Sequence, residues 1–315
     1  MNNYIDKLKK IENLYSNDII NSLRNDKESE DMIKIISEII KGILKDKEYS
    51  NDIYENIKHL ILISPEEMLM HNEVLKKENI NINLKNKDKL EKYLEKYKKL
   101  YEVLFRDKEY GENDKKYKWP IKISQSLSLN VCPYCNRNYI NPRGNKQGGQ
   151  TDHFFSRNNY PILSISLYNL IPACATCNLL KSNKFITEHP LLIKNNHLNF
   201  EFTLKENKKW SISNITNSQK DNSIIKELNI KEAYDINELD INKMYEIELS
   251  YSKPYRDKLK FFFQENGNIS ISDKYIDRIL FGHIVDNKEE EFRNIPLSYL
   301  KYDFYNFLKK QRNKK

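Results

Sequence analysis

The sequence lacks the features that mark membrane and secreted proteins. It contains no apolar run of about 18 residues, the length that a membrane-spanning helix requires. Its start, MNNYIDKLKKIENLY, has the pattern of an amphipathic helix and lacks the apolar core of a signal peptide. These absences argue against a membrane protein and predict a soluble protein of the cytoplasm.

Cysteine is scarce, with four residues among 315. All four fall in two C-x-x-C pairs, Cys132 with Cys135 and Cys174 with Cys177. Disulfides are not expected in a reducing cytoplasm, and this spacing is typical of a structural zinc site with four thiolate ligands. The alternatives are a chance arrangement and a redox motif, but redox C-x-x-C motifs occur singly beside a βαβ pattern, which the sequence lacks. We therefore predict a zinc ion held by the four cysteines.

Acidic residues are nearly absent from the middle of the chain. The whole chain has 45 Asp and Glu, but Asp152 is the only one between Lys115 and Thr187, a segment with ten Lys and Arg. The chain's net charge of +8 is therefore gathered around one carboxylate, which stands beside His153. A positively charged surround attracts a polyanion, so nucleic acid is the partner that this distribution indicates.

Glycine is also scarce, and three of the seven glycines lie together in PRGNKQGGQ, residues 142–150. The flanking segments NRNYI and QTDHFF have strand character, which predicts a short hairpin after the first cysteine pair. ATCNLLKSNK predicts a short helix, and HLNFEFTL and KWSISNI predict two more strands joined by the turn KENK.

The rest of the sequence has helical periodicity, with apolar residues recurring at spacings of three and four. SPEE predicts a helix that begins with a capping box at Ser64, and YGENDKKYKWP (110–120) predicts a linker. We expect an α+β fold of mainly α-helical flanks around a central zinc-stapled module. Its three parts are a helical N-terminal domain with a partner-binding or regulatory role (1–118), the central module (119–190), and a short hairpin plus helices (191–315).

The central module contains residue types suited to phosphodiester hydrolysis. A four-cysteine zinc site would draw Asp152 and His153 close to Asn178, which directly follows the second pair. Oxygen ligands from a carboxylate and an amide suit Mg²⁺ or Mn²⁺, and an imidazole with a pKa of about 6.5 can accept a proton from water. We predict that His153 is a general base and that Asp152 and Asn178 bind a catalytic ion. Taken alone, His153 also fits an ordinary half-buried histidine, and Asn178 a polar residue at a helix start.

Four basic residues near this site are candidates for contact with nucleic acid. They are Lys181, three residues after Asn178 on the predicted helix, and Lys184, Arg137 and Arg143. Solvated surface is the alternative for each of them. The absence of neighbouring acids favours a phosphate contact for Lys181 and leaves the other three undecided.

Residues 132–184 resemble the HNH, or ββα-metal, nuclease family in the version built around four zinc-binding cysteines. The resemblance implies that Asp152 and Asn178 bind the catalytic ion, that His153 is the general base, and that Asn169 holds the loop and orients His153. Asn178 stands at the position of the final histidine in the family's name, and asparagine there is a variant that the family accepts. For Asn169, the alternative is a simple turn residue. By this resemblance the chain is expected to be an endonuclease, with DNA as the first candidate substrate.

A looser similarity reaches the neighbouring segments VCPYCNRNYI, DHFFSRNNYPILSISLYNL and CNLLKSNK. They are similar to the PtuB-like HNH subunits of bacterial anti-phage defence systems, which work beside an ATPase. The similarity implies a defence role and an ATPase partner. The alternative function is a non-catalytic zinc module that binds nucleic acid or a protein partner. The lone carboxylate favours the nuclease, because a protein that only binds a polyanion has no use for it.

Overall fold

The computed structural model of the chain describes residues 4–43, 49–80, 87–112, 116–192, 198–217, 223–286 and 289–314. The chain divides into two compact units. Unit 1 comprises residues 1–133 and 139–192, and unit 2 comprises residues 134–138 and 193–315. The predicted three-part organisation (1–118, 119–190 and 191–315) stays a prediction, and residues 134–138 of its central part belong to unit 2. Within the described ranges, no helix is long and apolar enough to cross a membrane.

Unit 1 consists of helices followed by a two-stranded sheet and a short last helix. The helices before the sheet are α1 (Tyr4–Lys9), α2 (Glu12–Asn25), α3 (Glu30–Ile43), α4 (Ile53–Ile61), α5 (Pro65–Met70), α6 (Asn72–Leu75), α7 (Lys87–Tyr101) and α8 (Trp119–Leu127). The sheet pairs β1 (Gln150–His153) with β2 (Leu170–Ala173), and α9 (Ala175–Lys181) follows. A π-helical turn, Glu102–Asp107, continues α7.

The helix starts and apolar faces of unit 1 follow the sequence patterns. The predicted capping box at the start of α5 is confirmed: the Ser64 hydroxyl accepts the Glu67 N–H at 3.2 Å, and the Glu67 carboxylate accepts the Ser64 N–H at 3.0 Å. In α3, Met32, Ile36 and Ile40 are buried on one face. Each such side chain contributes about 1.5–3 kcal/mol when it leaves water, which holds the helices together more firmly than helix propensity does.

The segment predicted as a linker is folded into unit 1. Tyr110 and Tyr117 pair as an antiparallel bridge, with N–H···O distances of 2.9 and 2.8 Å. Trp119 ends the segment, is fully buried and begins α8. Tyr110 and Trp119 are therefore core residues, whereas Tyr117 is half-buried; residues 113–115 lie outside the described part of this segment.

The sheet of unit 1 differs from the predicted hairpin. β1 pairs antiparallel with β2, and Asp152 lies opposite Ile171. The segment NRNYI forms no named strand and has only an isolated bridge, from Tyr139 to Val131. The hairpin between NRNYI and QTDHFF was therefore wrong. The strand LIPA is buried at every position, so burial of apolar area selects it as the partner of β1 although it is more distant in sequence.

Unit 2 contains the second two-stranded sheet and the remaining helices. Its strands, β3 (Asn199–Leu204) and β4 (Trp210–Thr216), pair antiparallel with an irregularity between Glu201 and Phe202, and they confirm the two predicted strands. The helices are α10 (Ser223–Glu227), α11 (Ile230–Asp235), α12 (Glu238–Ser250), α13 (Lys253–Gly267), α14 (Asp273–Phe281), α15 (Glu289–Asn294) and α16 (Ser298–Lys314). The chain is thus α+β, as predicted.

Candidate functional site

The four cysteines come together in one cluster. Their Sγ atoms all lie within 4.8 Å of one another, and all four residues, Cys132, Cys135, Cys174 and Cys177, are buried. In a tetrahedral zinc site with Zn–S bonds of about 2.3 Å, neighbouring sulfurs are separated by about 3.8 Å. The cluster therefore has the donors and the spacing to hold a metal ion, as the sequence predicts.

The second cysteine pair forms the start of α9. Cys174 follows β2 directly and is the N-cap of the helix, where its Sγ accepts the N–H of Cys177 at 3.5 Å. N–H donors and the positive end of a helix favour a thiolate over a thiol. Because no loop separates β2 from α9, Asn178 lies one turn into a helix whose position is tied to the sheet.

Asp152, His153 and Asn178 line one open cleft with a volume of about 620 Å³. Asp152 and His153 are the last two residues of β1, and α9 packs against this strand. The Asn178 side chain is linked to the strand by a 2.7 Å hydrogen bond from its Nδ2 to Gln150 Oε1. This hydrogen bond uses the amide nitrogen of Asn178, so the amide oxygen remains as a ligand atom for a cation. A carboxylate and an amide oxygen on one cleft fit a hard divalent ion.

His153 is held as a neutral imidazole. Its Nε2 lies 2.9 Å from the carbonyl oxygen of Ser164, and a carbonyl can only accept, so Nε2 carries the proton and Nδ1 has the lone pair. Burial, and then the positive charge of Arg157, lowers the pKa of His153 to about 3. Because its pKa lies well below 7, the imidazole is in the form that can accept a proton at neutral pH.

Asn169 fixes the loop between β1 and β2. It is fully buried, and its Oδ1 accepts the N–H of Phe155 at 2.7 Å while its Nδ2 donates to the carbonyls of Phe155 and Leu163 at 3.1 and 2.9 Å. Leu163 directly precedes Ser164, the residue that accepts from His153. Asn169 therefore holds the loop that carries the Ser164 carbonyl, and its implied role in orienting His153 stays a prediction that this geometry supports.

Lys181 occupies a different position from the one that the sequence suggested. Its side chain is 0% exposed, so it is not solvated surface. Its Nζ donates to Asp152 Oδ1 at 3.2 Å and to the His153 carbonyl at 2.7 Å. A phosphate contact at Lys181 does not fit this position, because burial separates the ammonium from any nucleic acid and its hydrogen bonds go to the protein.

The other three predicted contacts, Arg137, Arg143 and Lys184, do not line the cleft. Arg137 belongs to unit 2, where its Nε donates to Asn237 Oδ1 at 3.1 Å. Arg143 and Lys184 are exposed. Their contact with nucleic acid stays a prediction, and the cleft gives it no support.

The basic side chains that do line the cleft are Lys98, Lys99 and Arg157. Arg157 lies four residues after His153 inside the acid-poor segment, and that position was the signal by which the sequence could have indicated it. Lys98 and Lys99 come from α7, whose lysines are indistinguishable in sequence from ordinary solvated helix surface. One acid, Glu102, also lines the cleft and pairs with Arg157 at 2.8 Å.

Side chains from α7, β1 and α9 thus line one cleft, and β2 pairs with β1 and leads directly into α9. Comparison of the chain with family models, with curated proteins and with solved structures gives no match. The resemblance to HNH nucleases therefore stays a prediction, and the side chains in the cleft are the basis on which a function can be proposed.

Proposed function

We propose that the chain is a metal-dependent endonuclease that hydrolyses phosphodiester bonds of nucleic acid, with DNA as the first candidate substrate. The observation that carries this proposal is the shared cleft, in which Asp152, His153 and Asn178 are accompanied by basic side chains. A carboxylate and an amide can bind a divalent ion, a neutral imidazole can accept a proton from water, and surrounding cations can bind phosphate, and together these roles serve hydrolysis of a phosphodiester.

Asp152 and Asn178 are the residues that would bind Mg²⁺ or Mn²⁺. Such an ion, when bound, supplies positive charge for the scissile phosphate and for the departing oxygen. The attacking water would transfer its proton to Nδ1 of His153, because Nε2 is committed to the Ser164 carbonyl. The negative charge of a bound phosphodiester would offset the positive charge of Arg157 and so raise the pKa of His153. A higher pKa makes the imidazole a stronger base.

The basic residues of the cleft would bind the phosphates on either side of the cleavage point. Lys98 and Lys99 of α7 contribute point charges, and Arg157 contributes a planar guanidinium that can form two hydrogen bonds with one phosphate. By this proposal the helical part of unit 1 takes part in binding the substrate. The cysteine cluster would hold a structural zinc ion, because four thiolates leave it no open position.

The test is a cleavage assay with purified protein, plasmid DNA, single-stranded DNA and RNA in the presence of Mg²⁺ or Mn²⁺. We expect His153→Ala to reduce the cleavage rate by about 10²–10⁴-fold, the contribution of a general base. His71→Ala is the matched control, since His71 lies in the same unit but does not line the cleft. Cleavage that persists in His153→Ala contradicts the assigned base, and cleavage that survives EDTA contradicts the divalent ion.

A second candidate is a module that binds nucleic acid without cleaving it. The buried pair of Asp152 and Lys181 favours this alternative, because it gives the carboxylate a structural partner within the protein. Gel-shift binding in the same metal buffer, without cleavage of any of the three substrates, would support this second candidate.

We also propose, from the looser sequence similarity, a role in anti-phage defence beside an ATPase. The test is co-expression with an ATPase encoded beside the gene, followed by co-purification and a cleavage assay with and without ATP. A stable complex whose cleavage responds to ATP supports the proposal, and failure of the two proteins to associate contradicts it.

A further inference from the structure

The lone carboxylate of the cleft is already paired with a cation from the protein. Asp152 is 3% exposed and Lys181 is 0% exposed, and the ammonium lies 3.2 Å from Asp152 Oδ1. The same ammonium donates to the His153 carbonyl at 2.7 Å. Lys181 therefore ties the last turn of α9 to the last two residues of β1, which carry the proposed metal ligand and the proposed base.

Burial of the ion pair is unfavourable by itself, and a buried charge acts strongly on the groups around it. Removing a lysine ammonium from water is unfavourable unless a partner and hydrogen bonds compensate it. At this depth the charge of Lys181 is poorly screened by solvent, and its field acts directly on anything that binds beside Asp152.

The charges of the side chains in the cleft restrict how a divalent ion can bind. Of the two proposed ligands, Asp152 is neutralised by Lys181 and Asn178 is uncharged. The other acid that lines the cleft, Glu102, is engaged by Arg157 at 2.8 Å and by Arg106 at 3.0 Å. The protein side of the site therefore has no net negative charge to offer. The affinity of oxygen sites for divalent ions rises with ligand charge, and Mg²⁺ sites commonly complete their charge with substrate phosphates.

We propose that Lys181 is a positioning and charge-balancing residue that makes binding of the divalent ion depend on the phosphodiester of the substrate. The inference rests on the proposed function, since it assumes that Asp152 and Asn178 are ligands. In this arrangement the free protein binds the ion weakly, and the ion and the nucleic acid enter the cleft together. Lys181 also keeps Asp152 and His153 in fixed positions while the cleft is empty.

The first test is the affinity of the full-length, zinc-loaded protein for Mn²⁺ without nucleic acid, measured by isothermal titration calorimetry. Lys181→Gln removes the charge and keeps a hydrogen-bond donor, whereas Lys181→Arg keeps the charge. We expect Lys181→Gln to bind Mn²⁺ at least about tenfold more tightly than the wild type, because a nearby positive charge is gone, and Lys181→Arg to match the wild type. Adding Asp152→Asn to Lys181→Gln must abolish the gain. Equal or weaker binding by Lys181→Gln overturns the proposal.

Since Lys181→Gln leaves a buried carboxylate with less compensation and can fail to fold, a second measurement retains Lys181. In a His153→Ala background, in which cleavage is expected to be slow, free Mn²⁺ is measured by electron paramagnetic resonance with and without a saturating oligonucleotide, and the oligonucleotide alone is the blank. We expect the complex to bind Mn²⁺ at least about tenfold more tightly than the protein alone. Equal affinities overturn the inference. If the wild type still cleaves in a metal-dependent way, the proposed function stands and only the inference about Lys181 fails. If there is neither cleavage nor Asp152-dependent Mn²⁺ binding, the proposed function and the inference both fail.

Discussion

The guanidinium of Arg157 lies over the ring of Tyr101, 4.9 Å from its centroid, and the same ring makes an edge contact with His153 at 4.6 Å between centroids. Tyr101 is the last residue of α7, directly before the π-helical turn. Such turns are frequent at functional sites because they shift side chains out of the regular helical pattern. The C-terminal end of α7 therefore contacts both the imidazole of His153 and the guanidinium of Arg157 through one aromatic ring.

The first prediction concerns this guanidinium. Because Tyr101 and Glu102 restrict the freedom of Arg157 before substrate arrives, little entropy is lost when it binds a phosphate. We expect Arg157→Ala to lower kcat/KM for DNA cleavage by about 10–100-fold and Arg157→Lys to recover only part of the loss, since lysine cannot form the bidentate contact. Steady-state cleavage kinetics measure both effects.

Lys146→Ala is the matched control for Arg157→Ala. Lys146 is an exposed cation of the same acid-poor segment and does not line the cleft. We expect its removal to change kcat/KM by less than about twofold, the small effect of a remote surface charge at physiological ionic strength. If the two variants lose activity equally, the cleft is not the place where substrate binds.

The second prediction concerns removal of the metal from the cysteine cluster. Cys174→Ser removes a thiolate and the N-cap sulfur of α9 at once. We expect the purified variant to lack the zinc that the cluster is proposed to bind and to melt about 10 °C or more below the wild type, because metal-binding free energy is folding free energy in such sites. Zinc content by plasma mass spectrometry and thermal unfolding by circular dichroism measure the two effects.

Thr176→Ala tests whether the Cys174→Ser effect is specific to the sulfur. Thr176 is exposed and lies between Cys174 and Cys177 in the same turn. This variant should retain one zinc ion per chain and melt within a few degrees of the wild type. A wild-type protein purified without stoichiometric metal would contradict the assignment of the cluster as a metal site.

The sequence was sufficient for the local features of the site. Cysteine spacing predicted the cluster, Ser64 and Glu67 predicted a helix start, and ATCNLLKSNK predicted α9, because each depends on residues close together in the chain. The shared cleft of Asp152 and Asn178 was also expected, but for an incomplete reason. Pairing of β1 with β2 and the direct passage into α9 bring these residues together, in addition to the cysteines.

The residues that surround the site could not be predicted from the sequence, because they come from segments that are far apart in the chain. Lys181 was predicted to contact a phosphate because its segment is poor in acids, and only the fold reveals that it is buried against Asp152. Lys98 and Tyr101 are ordinary members of an amphipathic helix until α7 is placed against the sheet region. The hairpin error has the same origin, because a buried apolar strand far along the chain replaced the nearby partner.

The third prediction concerns a buried ion network in unit 2. Arg256 is fully buried and pairs with Asp277, which also accepts hydrogen bonds from Tyr305 at 2.9 Å and from Arg312 at 3.3 Å. Glu248 pairs with both guanidiniums, at 3.1 Å from Arg256 and at 2.7 Å from Arg312. We expect Asp277→Ala to lower the free energy of unfolding of unit 2 by about 3–5 kcal/mol, because it leaves two buried guanidinium charges with one carboxylate. Urea denaturation followed by circular dichroism measures the change.

Lys205→Ala is the comparison for the buried network. Lys205 pairs with Glu238 at 2.8 Å in the same unit, but its side chain is 50% exposed. An exposed pair of this kind contributes about 0–1 kcal/mol, because water solvates both partners after the pair is broken. Similar losses in Lys205→Ala and Asp277→Ala would show that the network is not compensating buried charge.

The fourth prediction concerns the carboxyl group of Asp303 on α16. Asp303 Oδ2 accepts the N–H of Phe200 at 2.9 Å, but burial dominates and raises the pKa of this carboxyl to about 6. In the unfolded chain the pKa is about 3.9, so the folded state binds the proton more tightly. Stability from this group is therefore present in full below about pH 4 and is lost as the pH rises to about 6.

Asp303→Asn removes the titration and keeps an oxygen that can accept the Phe200 N–H. The variant should match the wild type near pH 4 and be more stable by about 1–3 kcal/mol at pH 7, since the buried charge is no longer formed. Urea denaturation at closely spaced pH values measures the difference between the two proteins, and other titrating groups cancel in that difference. A difference that does not change between pH 4 and pH 7 contradicts a raised pKa at Asp303. A variant that is less stable at pH 7 would mean that the charged hydrogen bond to Phe200 outweighs the cost of burial.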